Sequence, residues 1–223
     1  MALKSPIISL TLTLTVLVFY NIILSVNSKF TTKGGGAMHG DIGIGLIVSW
    51  LVCYVFGVEP TWVHVVFGIL FALSPDIDAV FQKLTCGSIS AHARNPHDHR
   101  SLVHYPLVFV PTGTVLVFAI CSAAGFGLEL VLIFAVGSFL HFVHDSFGIG
   151  WGVKWLWPFS KKNYKFFVEK DNSPSKTFIQ SWNPSELSEA VRLYGLPAEI
   201  WRPLYLKSPF FVVETLIFSS ALG

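Results

Sequence analysis

Three short stretches of the chain gather the residue types that hold metals and move protons: "SPDID" at 74–78, "HRSLVH" at 99–104 and "HFVHD" at 141–145. A lone "HGD" at 39–41 precedes them. Each lies where a long apolar run begins or ends. His39 opens one run, Asp76 and Asp78 close the next, His99 and His104 open a third, and His141, His144 and Asp145 close a fourth. If consecutive runs are antiparallel helices, all these groups fall at one rim, and that shared placement is the strongest signal in the sequence.

Imidazole with carboxylate is a donor set suited to zinc, iron or manganese, and less so to calcium or magnesium, which prefer all-oxygen surroundings. A divalent metal, zinc as the simplest choice and one or two ions in number, is therefore expected. Such an ion polarises a phosphoryl or carbonyl oxygen and activates water. The predicted ligands are His39, Asp76, Asp78, His99, His104, His141 and Asp145. Asp78 is expected to hold or deprotonate the attacking water, and Arg100, beside His99, to offset negative charge on the substrate.

Spacing constrains how these residues can meet. His141 and Asp145 are four apart and share a helix face, with His144 a further ligand or a supporting group. His99 and His104 are five apart, which turns them about 140° from one another on a straight helix. One of the pair must then precede the helix. His64 lies about 18 Å along a helix from Asp76 and is excluded. His92 and His97, with Asp98, read as a solvated loop.

The elements that must position these groups are membrane helices. The 223 residues are 52% hydrophobic and 13% charged, far from the balance of a soluble domain. The apolar runs at 41–58, 61–74, 102–123 and 126–147 are continuous, where a barrel would alternate. The run at 61–74 is short, stops at Pro75 and is read as a shallow or tilted helix. The connections near "GVEP" and "SAAGFG" lack Lys and Arg, whereas the polar connections carry most of the basic residues, which places the rim with the donors on the cytoplasmic side. The fold class is thus all-α, a polytopic membrane helical bundle with a metal site at one rim.

Three regions follow: 1–37, a hydrophobic anchor or signal segment (6–26) with a Gly-rich linker; 38–159, the membrane core; and 160–223, a polar segment with a short helix from Asn183 and a C-terminal apolar stretch. Trp151, Trp155 and Trp157 after the last run fit an aromatic belt at the headgroup level. A net charge of +2 without a basic stripe excludes a nucleic-acid partner. Cys53, Cys86 and Cys121 form no disulfide or zinc-knuckle pattern. The expected partners are membrane lipids and an amphipathic substrate.

The order of motifs, from His39 through "SPDID", "HRSLVH", "GSFLHFVHD" and "GIGWGVKWLWPF" to Phe159, resembles the family of membrane-bound metal-dependent hydrolases described as LexA-regulated and inner-membrane associated. The likeness covers over half the chain. It implies a multi-pass inner-membrane location and carries His39, Asp76, Asp78, His99, Arg100, His104, His141 and Asp145 over as functional residues. The chain departs from the pattern by its N-terminal hydrophobic extension and a longer insertion between Asp78 and His99. The expected activity is hydrolysis of a phosphoester or other ester of an amphipathic substrate. Two alternatives stand beside it: a membrane di-iron oxygenase, disfavoured because residues 145–223 contain no histidine, and a non-catalytic membrane protein whose metal holds its helices together.

Overall fold

Each apolar run between 41 and 147 is helical. In the computed structural model, which describes residues 39–86, 103–147, 152–169 and 174–187, the helices are α1 His39–Phe56, α2 Trp62–Ala72, α3 Ile77–Cys86, α4 Pro106–Ala124 and α5 Leu128–Phe147. The two tight connections turn as expected. Gly57 and Gly125 both take a left-handed backbone (φ 66° and 73°), which L-residues with a Cβ adopt poorly. Val58 N–H then donates to Cys53 O, and Phe126 N–H to Cys121 O, closing each helix end.

Two boundaries differ from expectation for clear chemical reasons. Pro75 does not end helical structure; it sits early in a 3-10 turn, Ser74–Asp76, where its missing N–H is no loss, and the turn leads directly into α3. The stretch after "SPDID", read as loop, is therefore helical as far as Cys86. The run beginning at 102 becomes helical only at Pro106, so His104 lies ahead of α4 instead of inside it.

The all-α expectation also needs correction. A two-stranded antiparallel sheet follows the helices, β1 Asn163–Val168 paired with β2 Pro174–Trp182 in the register Asn163↔Trp182 and Phe166↔Ile179. The aromatic and β-branched residues of "NYKFFV" and "KTFIQSW" favour a pleated, half-buried surface. Phe167, with φ 57°, marks a bulge between Phe166 and Val168. Of the short helix expected from Asn183, the 3-10 turn Pro184–Leu187 is described. The expected anchor at 6–26, the linker after it and the C-terminal apolar stretch lie outside the described residues.

Helix α5 is the hub, packing on α1, α2, α4 and β1. α4 and α5 are long and apolar enough to cross a membrane; α1 and α2 are shorter apolar helices. They bury very different shares: of α4 only Pro106 and Cys121 are buried, with Val115, Leu116 and Ile120 exposed, whereas more than half of α5 is buried.

Between apolar helices in lipid, close contact through small residues matters more than exclusion of water. α1 and α2 cross at Gly45 and Gly68, where a Cβ on Gly45 would meet Gly68 O at 2.5 Å and one on Gly68 would collide with Ser49 Oγ. Ser49 is buried in the crossing and donates from Oγ to Gly45 O or His64 O, both at 2.8 Å. On α4, Gly113 leaves the space that the Phe134 ring of α5 fills. These contacts set the axial positions of the helices, and so decide which residues meet at the rim.

Candidate metal centre

Four chain segments bring donors to one rim: the first turn of α1, the 3-10 turn after α2, the residue pair before α4 and the last two turns of α5. Antiparallel connectivity makes this possible, since the starts of α1 and α4 and the ends of α2 and α5 fall together. Asp76, His104 and His141 each offer a ligand atom within 4.8 Å of the others, close enough to hold a metal ion. His104 Nε2 lies 3.5 Å from Asp76 Oδ1, and His141 Nε2 lies 3.8 Å from it. Asp145 adds Oδ2 at 3.5 Å from His104 Nε2 and 3.8 Å from His141 Nε2.

An ion bonded at about 2.1 Å to nitrogen and oxygen donors spaces neighbouring donors by about 3.0 Å in an octahedron and about 3.4 Å in a tetrahedron. The observed separations of 3.5 and 3.8 Å come within a few tenths of an ångström of the tetrahedral spacing. They are too long for good hydrogen bonds between the same atoms.

Carboxylates behind the imidazoles fix their orientation. His104 Nδ1 is 2.9 Å from Asp78 Oδ2, and His141 Nδ1 is 3.0 Å from Asp41 Oδ1. A carboxylate can only accept, so the hydrogen bond puts a proton on His104 Nδ1, and the Asp41 carboxylate beside His141 Nδ1 favours the same placement there; with a metal bound, each Nε2 would then be the free donor nitrogen. Asp41 Oδ1 also accepts from His144 Nδ1 at 3.1 Å. The Phe142 ring, fully buried, stands edge-on to both imidazoles, with centroids 5.7 Å from His104 and 5.6 Å from His141. It prevents either ring from swinging away.

Two observations show that a cation fits. His141 Nε2, which faces the common point, is buried with no hydrogen-bond partner among the described residues. The group also holds four aspartates, Asp41, Asp76, Asp78 and Asp145, against three imidazoles, a net −4 when the imidazoles are neutral. Buried negative charge on this scale requires positive charge nearby. Protons serve in its place on His104: burial would lower its pKa, but the surrounding carboxylates of Asp145, Asp76 and Asp78 outweigh burial and hold it well above the usual imidazole value. Burial likewise works to raise the Asp76 pKa, yet the charge of His141 and the neighbouring His104 imidazole pull it down to about 2.

The remaining expected residues are placed as follows. Asp78 is buried behind His104 and not at the common point. His39 is the first residue of α1, two residues before Asp41. His99 and Arg100 lie outside the described residues, as do His92, His97 and Trp151. His64 is at the opposite rim, with Nε2 3.7 Å from Glu129 Oε1. Sequence reasoning missed Asp41, whose only signal was an acidic residue opening an apolar helix, and Phe142, which reads as ordinary core.

Trp155 and Trp157 are half-buried fasteners at this rim. Trp155 Nε1–H donates to Ser146 Oγ at 2.8 Å, and Trp157 stacks on Tyr105 at 4.5 Å, next to His104. Lys154 Nζ lies 5.6 Å from the Tyr105 ring centroid. The segment after α5 thereby pins the segment that carries His104.

No curated protein and no solved structure is similar enough to the chain to count as a match. A family model, described as YdjM inner membrane protein, matches residues 37–196, which contain all the donors above. Spanning well over half of the 223 residues, that match means the chain belongs to the YdjM inner membrane protein family.

Proposed function

We propose that the protein is a multi-pass, metal-dependent hydrolase of the inner membrane that cleaves a phosphoester or other ester of an amphipathic substrate at the cytoplasmic rim. The observation that carries this is the convergence of Asp76, His104 and His141 on one point, with Asp41 and Asp78 orienting the two imidazoles. Mixed imidazole and carboxylate donors favour zinc, and the described donors support one ion. The excess of lysine in the segment beyond α5 supports a cytoplasmic face.

When bound, the ion would polarise the scissile carbonyl or phosphoryl oxygen and lower the pKa of water. The chain's own residues do the rest. His104, His141 and Asp76 hold the ion. Asp41 and Asp78 keep the Nδ1 protons in place. Asp145, beside the donors with its side chain 13% exposed, is positioned to take the proton of the attacking water. Asp76, whose pKa is held near 2, is ionised at neutral pH and so ready to hold a cation. Asp78, buried behind His104, is a positioning residue in this scheme, and Arg100 is the group proposed to offset charge on the substrate.

The test is elemental analysis of the detergent-purified protein together with hydrolysis of phosphomonoesters, phospholipids and carboxylic esters. Turnover should track metal content, and Asp145→Asn should keep the metal while losing most of kcat. Folded, metal-loaded protein without turnover on any of these would overturn the hydrolase reading. Because the three donors come from three separate segments, a purely structural ion is the second reading; it is favoured if His141→Ala unfolds the protein and Asp145→Asn changes nothing.

A further inference from the structure

The hairpin and the segment before it carry a surface that the metal chemistry does not use. At the end of α5, the Phe147 ring lies 5.4 Å from Phe166 and 6.1 Å from Phe167, and Phe178 lies 5.3 and 4.9 Å from the same two rings. Trp155 stacks on Phe166 at 5.9 Å and stands edge-on to Phe139 of α5 at 5.6 Å. The sheet is thus fastened to the last turns of a helix able to span the membrane.

Its outer side mixes aromatic and basic side chains and is not covered by the described residues. Phe159 is 87% exposed, Phe178 53% and Phe167 50%. Lys161, Lys162 and Lys176 are exposed among them. Lys176 and Phe178 are two apart on β2 and share one face of the strand. Across 152–169 and 174–187 the exposed charged side chains are Lys161, Lys162, Lys176 and Glu186, a basic excess.

We propose that this hairpin lies in the headgroup layer of the membrane, with Phe159, Phe167 and Phe178 at the acyl boundary and Lys161, Lys162 and Lys176 against anionic phospholipid headgroups. Position argues for lipid as the occupant. Phe147 ends an apolar span, so rings in contact with it lie within a side chain's breadth of the hydrocarbon edge. Surface continuity argues the same way, because Trp155 joins Phe166 of the hairpin to Phe139, which is 44% exposed on α5. Charge completes the case: lysine stems lie along apolar surface while their ammonium groups reach headgroup phosphates. Asp145 is two residues before Phe147, so a hairpin held at this depth also fixes the depth of the metal centre. The inference does not depend on hydrolysis.

The test places nitroxide labels on the full chain, with the native cysteines replaced by alanine, at Phe159→Cys, Phe178→Cys and the exposed control Ser185→Cys. The protein is reconstituted in phosphatidylcholine vesicles, with or without an equal part of phosphatidylglycerol, and a water-soluble nickel chelate is present on both sides. Labels at 159 and 178 should collide several-fold more with oxygen than with the chelate, relative to the control, and the contrast should grow with phosphatidylglycerol. Lys161→Gln, Lys162→Gln and Lys176→Gln combined should abolish the dependence on phosphatidylglycerol while the metal content stays unchanged. Chelate access at 159 and 178 equal to the control in both vesicles would overturn the proposal. So would shielding from both oxygen and chelate, which marks a protein contact such as a second copy, or a lysine variant that responds to phosphatidylglycerol as the parent does.

Discussion

The two rims of the bundle both pair histidine with carboxylate, but among the described residues donors converge closely enough to hold a metal ion at only one of them. At the far rim, the Thr61 backbone N–H donates to His64 Nδ1 at 3.1 Å, so that nitrogen carries no proton and Nε2–H points toward Glu129 Oε1, 3.7 Å away. At the near rim the order is reversed. Carboxylates sit behind Nδ1 of His104 and His141, and the Nε2 lone pairs face a shared point. The difference lies in which ring nitrogen is given an acceptor and which a donor. Composition alone cannot supply that; it follows from where the backbone puts the neighbouring group.

The largest effect should come from removing a donor at the near rim and its counterpart at the far rim. His141→Ala or His104→Ala should abolish metal binding in elemental analysis, while His64→Ala retains the full content. Metal in either near-rim variant at the parent level would break the comparison outright. Next come the residues behind the rings. Asp78→Asn and Asp41→Asn should each lower metal affinity about 10- to 100-fold, the range found when the outer partner of a ligating histidine is changed. Competition with a chromophoric chelator measures this, and an unchanged affinity would show that the tautomer is set by something else.

Acid should act on the near rim in a defined direction. The His104 pKa is raised in the metal-free fold, so its stabilising contribution is fully present below the unfolded value of about 6.5 and fades as pH rises through the folded value. Metal binding must expel that proton. Metal affinity should therefore rise with pH until it passes the elevated His104 pKa, with proton release on binding above pH 6.5. Calorimetric titration in buffers of different ionisation enthalpy counts the protons; zero release at that pH would show that His104 is not protonated in the metal-free state.

Much of the near rim was legible from sequence because antiparallel helices force alternate ends together, which selected Asp76, His104, His141 and Asp145 and set His64 aside. Asp41 escaped because a carboxylate in a first turn is already explained by the helix dipole. The continuation through Pro75 into α3 escaped because proline interrupts helices more often than it starts them, and only the local 3-10 geometry distinguishes the two. The hairpin escaped for another reason: "NYKFFV" runs aromatic residues together instead of alternating, and the bulge at Phe167 that permits this has no sequence signature of its own. Helix contact at Gly45 and Gly68 was invisible too, since a glycine's lack of a side chain acquires meaning only once its neighbour is known.

The smallest effect sharpens the comparison from the far side. Glu129 and His64 form the only described His–carboxylate ion pair away from the donors, at 3.7 Å and with side chains 18% and 11% exposed. Near a rim, such a pair is worth about 1 kcal/mol or less. Glu129→Gln keeps the shape and removes the charge, so it should lower stability by no more than that and leave metal content and the pH dependence of binding untouched. Chemical unfolding in mixed detergent with metal analysis on the same samples checks both. A change in metal affinity would mean that α5 transmits strain along its length from one rim to the other. The near-rim geometry would then depend on the register of α5 against α2, which Glu129 and His64 help to hold, and not only on the carboxylates behind the rings.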